Sequence, residues 1–192
     1  MKRTPAYLLA IAIVVLTPMI TCANEVILAN LSDKFGQISH RNLESSHEFV
    51  FSGEFTDIEH ALNLVNSNDL FVQSVSVSAR DDGKAAIVIK ASSARNQASK
   101  RFATFSNIIK PGMISWKKGE VPENMAVVTT IETDFANSIT LHGLTLKSSL
   151  IFSHLFPMIE RSGELRDPFF SRGTYSDTGS GRVMDFTVLC QW

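Results

Sequence analysis

Few residues of this chain are candidates for a metal site or a catalytic site, and their spacing in the sequence does not match the known motifs for such sites. A zinc site needs several converging ligands, which usually include closely spaced histidine or cysteine pairs. The five histidines form no such pair: His40, His47, His60, His142 and His154. The sequence therefore predicts no metal site and no cofactor.

Two short motifs resemble a nucleophile site and a phosphate site. Ser115 and Lys118 have the S-x-x-K spacing of penicillin-binding enzymes, but the S-D-N and K-T-G elements that this chemistry also needs do not occur. The segment 179–182, GSGR, lacks P-loop spacing and is predicted to join two strands, so no helix follows to receive an anion. Both motifs are predicted to be turns, and we expect no catalytic residue and no enzyme.

Composition narrows the class of protein. The chain has 192 residues, of which 44% are hydrophobic and 19% charged. This composition excludes a disordered tail and suits a globular body with a membrane-seeking end. The net charge is -1 and the lysines and arginines are scattered, whereas nucleic-acid binding favours a concentrated basic face. We expect no nucleic-acid partner.

The first 23 residues predict a targeting segment or a membrane anchor. Lys2 and Arg3 precede a stretch without charge from Ala6 to Ile20. A cleaved signal has an apolar core of roughly 7 to 15 residues and small residues at the cut, whereas an anchor needs nearer 20 apolar residues. Cys22 adds lipidation as a third, weaker alternative. In the first two cases the chain after residue 23 leaves the cytoplasm.

Residues 24–46 predict a short amphipathic helix. Ile27, Leu31, Phe35 and Ile38 are spaced by four, four and three, and most other positions are polar. Such a narrow apolar seam is typical of a helix that pairs with another helix in a coiled coil. The alternative is one helix packed on its own domain.

Residues 47–91 predict a strand, a helix and a hairpin. In EFVFSGEFTDIEHAL, Phe49 and Phe51 alternate with polar residues up to Gly53, and Thr56 or Asp57 can cap the helix that follows. Two alternating segments then flank the Asp-Gly turn 81–84, which is typical of a β-hairpin. The order of elements is therefore βαββ.

The same order is predicted for residues 138–192. Ile139 and Leu141 alternate up to Gly143, a helix follows, and the turn 177–181 joins two further strands. Pro157 is expected to shorten or kink that helix, and Gly163 to end it. The connector 92–137 is predicted to hold a helix with Phe102 and Phe105 turned inward, and a β run in 125–131.

Two βαββ repeats predict an α+β fold. They can merge into one antiparallel sheet with the helices on one face, which is a ferredoxin-like sandwich, in direct or circularly permuted order. The sandwich is expected to span residues 47–192, after one N-terminal hydrophobic helix and the amphipathic helix. The alternative to a true repeat is that any two α+β hairpins look alike in one sequence.

This pattern resembles the PilO/GspM group of inner-membrane proteins from type IV pilus assembly and type II secretion. The segments FVFSGEFTDIEHALNLV and VQSVSVSARDDGKAAIVIKAS carry the resemblance. It implies a non-enzymatic scaffold, anchored once in the bacterial inner membrane, whose periplasmic domain forms homodimers or heterodimers with a PilN/GspL-like protein. It also implies that Ile27, Leu31, Phe35 and Ile38 form a helix-pairing interface. The rival hypothesis is a soluble periplasmic adaptor or small-ligand binder with a cleaved signal.

Overall fold

Strands in the described part of the chain form one antiparallel sheet. The computed structural model describes residues 25–66, 69–109, 121–161, 163–178 and 181–192. The strands are β1 (Ser39–Leu43), β2 (Ser46–Gly53), β3 (Phe71–Ala79), β4 (Ala85–Ser92), β5 (Val127–Thr133), β6 (Ser138–Thr145), β7 (Arg166–Thr178) and β8 (Gly181–Gln191). Their order in the eight-stranded sheet is β1-β2-β4-β3-β5-β6-β8-β7.

Four α-helices occur among the described residues: α1 (25–35), α2 (Ile58–Val65), α3 (Phe102–Ile108) and α4 (Phe156–Arg161). A 3-10 turn precedes α2 and another precedes α3, and a π-helical turn, Ile151–Leu155, precedes α4. The buried residues of all four helices belong to one core cluster with the apolar side chains of the sheet. The helices therefore cover one face of the sheet, which agrees with the predicted α+β class.

Period-2 alternation explains why one face of the sheet is buried. Along β2, His47, Phe49, Phe51 and Gly53 are buried, and the residues between them are half-exposed. The ladders keep this alignment across the sheet, since Phe49 lies opposite Ile89 and Ile89 lies opposite Val75. Apolar side chains thus point to the helices and polar side chains to the open face.

The chain folds as two consecutive units of six elements each. The first is α1-β1-β2-α2-β3-β4 and the second is α3-β5-β6-α4-β7-β8. Both have the same strand order, since β4 lies between β2 and β3 and β8 lies between β6 and β7. Both predicted βαββ segments are present, and each is preceded by a helix and one further strand, β1 or β5.

Two predicted segment boundaries were wrong. Residues 24–46 were expected to form only a helix, but α1 ends near Gly36, which has a φ of +76°, and β1 follows and pairs with β2. The connector 92–137 was expected to lie outside the repeats, but it supplies α3 and β5, and β5 joins the two halves of the sheet. β1 has only five residues and no buried face, so it gave no clear signal, whereas the predicted β run in 125–131 did not indicate which strands β5 would pair with.

Local predictions for the turns and helices were confirmed in part. Gly83 has a φ of +81° in the predicted hairpin turn, and Phe102 and Phe105 are buried on α3. The π-helical turn ends two residues before Pro157, which is the second residue of α4 and cannot donate a backbone hydrogen bond. Neither Thr56 nor Asp57 caps α2 through its side chain; Asp57 instead pairs with Lys34 of α1, at 3.0 Å.

The predictions for residues 1–23, including Cys22, fall outside the described residues, as do Ser115 and Lys118. Within the described ranges, no helix is long and apolar enough to cross a membrane.

Candidate functional site

The predicted helix-pairing seam packs inside its own domain. Ile27 and Leu31 are completely buried in the core, and Phe35 lies against Phe51 with ring centroids 4.8 Å apart. Ile38 follows α1 rather than belonging to it, and it packs on the same core. In the structure α1 is therefore a single helix packed on its own domain, the alternative to a coiled coil.

Gly53 at the end of β2 and Gly143 near the end of β6 are positions of close approach. A Cβ at Gly53 would lie 2.7 Å from Cδ1 of Phe35 on α1. A Cβ at Gly143 would overlap the Phe186 ring and the backbone oxygen of Val127. The two matching glycines thus serve packing at equivalent places in the two units, which is what their common position in the sequence pattern suggested.

The open face of the sheet carries rows of polar side chains. Ser78 and Thr130 share a hydrogen bond of 3.0 Å between their hydroxyls, across the junction of β3 and β5. Glu132 accepts a 3.5 Å hydrogen bond from the Ser76 hydroxyl, and its other oxygen lies 3.9 Å from Nε2 of His142. Neighbouring strands are therefore linked by exposed polar contacts on this face as well as by their ladders.

One such row crosses the whole sheet and relates equivalent positions of the two units. Each residue in it is the ladder partner of the next: Ser39, Val50, Val88, Ser76, Glu132, Thr140, Leu189 and Phe169. The first four belong to the first unit and the last four to the second. We refer to this set as the cross-sheet row.

A shallow depression of about 490 Å³ lies on the open face, where β2, β4, β3, β5 and β6 meet. Its lining includes Glu48, Lys90, Glu132 and Asp134 together with serine and threonine hydroxyls. Glu48 is 3.8 Å from Arg41 and 3.9 Å from Lys90, so its charge is balanced by two cations. The depression is a polar surface suited to hydroxyl-rich or charged groups.

Two histidines form a stacked pair at the β1 edge. Nε2 of His40 and Nδ1 of His47 are 3.3 Å apart, and the His40 ring also stacks on Phe49. Burial lowers the pKa of both histidines below the ordinary value of 6.5, and the charge of His40 lowers the pKa of His47 further. This pair keeps its neutral form at neutral pH.

The β5–β6 turn is held by long-range contacts. Phe135 has a φ of +57°, which is unusual for a residue other than glycine. Arg101 donates hydrogen bonds to the carbonyls of Phe135 and Ala136, and its guanidinium lies 5.3 Å from the centre of the Trp192 ring. Trp192 in turn donates from Nε1 to Thr133, at 3.1 Å. The strained backbone is thus maintained by the 3-10 turn before α3 and by the residue after β8.

The large apolar side chains that are exposed lie at the two ends of the sheet. In the described ranges, α1 and β1 at one end carry Val26 and Leu43. At the other end, the π-helical turn before α4 carries Phe152, and β7 and β8 carry Phe169, Tyr175 and Leu189. The second end also has aromatic contacts from Phe152 to Phe156 and Phe170. These ends are the best candidates for contact with another protein.

Sequence reasoning missed the exposed aromatic residues, although two signals were available. Phe169 and Phe170 are adjacent in a strand, so their side chains must point to opposite faces. Phe152 falls beside the buried stripe of Ile151, Leu155 and Ile159 instead of within it. An apolar residue outside the buried pattern is informative because water does not favour it there.

The described residues include no group of three or more histidine, cysteine or acidic side chains that could hold a metal ion. The comparisons add no relative: no family model, curated protein or solved structure matches this chain.

Proposed function

We propose that this chain is a non-enzymatic scaffold of an inner-membrane platform of the type IV pilus or type II secretion kind. In this proposal residues 1–23 anchor the chain, and the sheet domain lies in the periplasm. There it pairs with a second copy or with a related single-pass protein of the PilN/GspL kind.

The strand order carries the proposal. In the first unit, helix α2 connects β2 to the parallel strand β3, and β4 lies between them and is antiparallel to both. In the second unit, β6, β7 and β8 are arranged in the same way, so the orders are β2-β4-β3 and β6-β8-β7. β1 and β5, the first strand of each unit, complete the order. We interpret each unit as a ferredoxin-like sandwich in circularly permuted order, in which the last strand and the second helix come first. Sandwiches of this class are what the resemblance to the PilO/GspM group implies.

The arrangement of polar and apolar surface also favours a scaffold. A scaffold needs surfaces that bind other chains and a body that keeps its shape. Apolar residues are exposed at the ends of the sheet, and a continuous core joins the two units. These features supply both requirements without a reaction centre.

Fractionation of cells that produce the full chain tests the proposal. We expect a chain that keeps Met1, remains with the inner membrane in high salt and is released only by detergent. Co-expression with a PilN/GspL-like protein should give a complex that survives detergent extraction. A mature chain that begins near Asn24 and is released by osmotic shock would contradict the scaffold proposal.

The open-face depression favours one alternative, a soluble periplasmic adaptor or small-ligand binder. Its lining of carboxylates, Lys90 and several hydroxyls is of the kind that binds polar ligands. Osmotic-shock release together with saturable binding of a polar small molecule would support this alternative. Loss of that binding in Glu132→Gln, with unchanged thermal unfolding, would locate the ligand in the depression.

A further inference from the structure

The junction between the two units shows how one unit receives another. At this junction β3 pairs antiparallel with β5, and Val75, Ser76, Val77 and Ser78 lie opposite Thr133, Glu132, Ile131 and Thr130. On the helix side, α2 of the first unit packs on α3 of the second. The junction therefore consists of a β3/α2 surface on one unit and a β5/α3 surface on the next.

The two ends of the sheet correspond to the two halves of this junction. β7 and α4 occupy the places in the second unit that β3 and α2 occupy in the first. At the opposite end, β1 and α1 occupy the places that β5 and α3 occupy in the second unit. No described strand pairs with the outer edge of β7 or of β1. The β7/α4 end and the β1/α1 end therefore correspond to the two surfaces that meet at the internal junction.

The exposed apolar side chains lie on these same elements. Phe152, in the π-helical turn before α4, is 54% exposed, Phe169 on β7 is 63% exposed, and Val26 on α1 is 49% exposed. At the internal junction the apolar residues of α2 and α3 are buried, including Leu62, Val65 and Phe105. Large apolar residues that remain exposed on the elements equivalent to those of the junction indicate surfaces that become buried in an assembly.

We propose that a second copy of this chain binds head to tail, with its β1/α1 end against the β7/α4 end of the first. The contact repeats the internal β3/α2 to β5/α3 junction and continues the antiparallel sheet. Both ends are present whether the chain is anchored or soluble, so the proposal stands independently of a role in pili or secretion.

The cross-sheet row gives the register of this contact. In the row, Ser76 of the first unit is followed by Glu132 of the second. Phe169 on β7 is equivalent to Ser76 on β3, because the ladder partner of each in the row lies on the equivalent strand, β8 or β4. Ser39 on β1 is likewise equivalent to Glu132 on β5, since their partners in the row lie on β2 and β6. Continuing the row into a second copy places Phe169 opposite Ser39 of that copy.

Features of β7 limit the strength of the contact. The ladder between β7 and β8 is irregular from Arg166 to Phe169, and Pro168 has no backbone N–H to donate. Charged residues such as Arg172 also lie on this strand. Such features restrict edge pairing in natural proteins. The new ladder is therefore short, and we expect association that depends on protein concentration.

The contact is heterologous, since unlike surfaces meet. A head-to-tail dimer still has one free β7 end and one free β1 end, so further copies can bind at either end and form a linear oligomer. This predicts a ladder of oligomers, whereas pairing of two β7 edges would stop at a dimer.

Cysteine crosslinking of the full-length chain, purified in detergent, tests the register. Cys22→Ser removes one native cysteine, and the other, Cys190, is buried. In this background Ser39→Cys and Phe169→Cys are made singly and together. Under mild oxidation we expect crosslinked dimers when the two single variants are mixed, little crosslinking of either alone, and a ladder from the double variant. Leu43→Cys with Tyr175→Cys is the matched control, since these exposed positions lie outside the expected ladder.

The outcomes separate the possible assemblies. Phe169→Cys that crosslinks with itself as well as with Ser39→Cys would overturn the proposal in favour of β7–β7 pairing. Absence of a mixed dimer at the highest soluble concentration, with thermal unfolding like that of the parent, would also overturn it, as would control crosslinking of equal yield.

Sedimentation of charge variants gives a second test without engineered cysteines. Phe169→Glu with Phe152→Glu blocks the β7/α4 end, and Val26→Glu blocks the β1/α1 end. Each should weaken self-association at least about 10-fold, as loss of a buried aromatic or apolar anchor does. A mixture of the two should form dimers and nothing larger, since one intact end remains on each chain. Larger species in the mixture would contradict head-to-tail binding.

Discussion

Gly53 lies directly beneath Phe35, so that a Cβ at Gly53 would be 2.7 Å from Cδ1 of the phenylalanine ring. This contact joins the end of β2 to α1 and allows the helix to approach the sheet closely. The equivalent Gly143 has closer neighbours, the Phe186 ring and the backbone oxygen of Val127. A flexible ring at the end of a helix can move, whereas a backbone carbonyl in a ladder cannot do so cheaply.

We predict that Gly143→Ala is more destabilising than Gly53→Ala. The first should lower the free energy of unfolding by about 3 kcal/mol and the second by about 1 kcal/mol, because overpacking costs least where a neighbour can shift. Urea unfolding of the two variants and the parent measures both values. A loss at Gly53 that equals or exceeds the loss at Gly143 would show that α1 is held more rigidly than its position suggests.

The stacked histidines predict a pH-dependent stability. The pKa of His40 and of His47 is lowered in the folded chain, mainly by burial, from an ordinary value of 6.5. Between the lowered folded pKa and 6.5 the unfolded chain binds more protons, so stability falls as the pH decreases through this window. Well above pH 6.5 both histidines are neutral in the folded and in the unfolded chain, so this loss of stability is absent.

Thermal unfolding between pH 7.5 and pH 5 measures this effect. His40→Gln should reduce the slope of melting temperature against pH, because one of the two perturbed groups no longer titrates. Asn42→Gln on the same strand, β1, removes no titratable group, so it is the control and should leave the slope unchanged. Equal slopes for His40→Gln and the parent would contradict a role for the pair.

Arg101 is predicted to stabilise the strained β5–β6 turn. Arg101→Met keeps much of the apolar stem but removes the donors to the carbonyls of Phe135 and Ala136. Loss of charged hydrogen bonds to these acceptors should lower the free energy of unfolding by about 2 kcal/mol. The neighbouring Lys100→Met should change it by no more than about 0.5 kcal/mol. Denaturant titration of both variants checks the difference, and similar values would show that Trp192 and Thr133 maintain the turn alone.

Cys190 is predicted to be unreactive in the folded protein. Burial raises the pKa of its thiol to about 12, so almost no thiolate is present at pH 8. In a Cys22→Ser background, a disulfide reagent should modify Cys190 only in urea, with a midpoint that matches the unfolding transition followed by fluorescence. Rapid modification without urea would indicate local opening of β8.

Several local features were predictable from the sequence because short-range patterns determine them. Alternation around Phe49 and Phe51 identified β2 and its buried face, and the Asp-Gly turn identified the hairpin of β3 and β4. Inward orientation of Phe102 and Phe105 was also predicted and confirmed. These features depend on residues that are close in the sequence.

The candidate binding surfaces were less predictable. The spacing of Ile27, Leu31 and Phe35 correctly indicated an apolar face on a helix, but spacing alone cannot say whether that face meets its own sheet or another helix. The exposed state of Phe152 and Phe169 likewise depends on where β7 and α4 lie in the finished fold.

By itself, the sequence determined the repeated βαββ segments, most of their turns and the side chains that must avoid water. Tertiary structure alone decided that β1 and β5 complete the two units, that β3 meets β5, and that β1 and β7 form the edges. Hydrophobic periodicity reports whether a residue is buried but not which residue buries it. Strand order arises from contacts between distant residues, such as Ser76 with Glu132, and these contacts leave no local pattern.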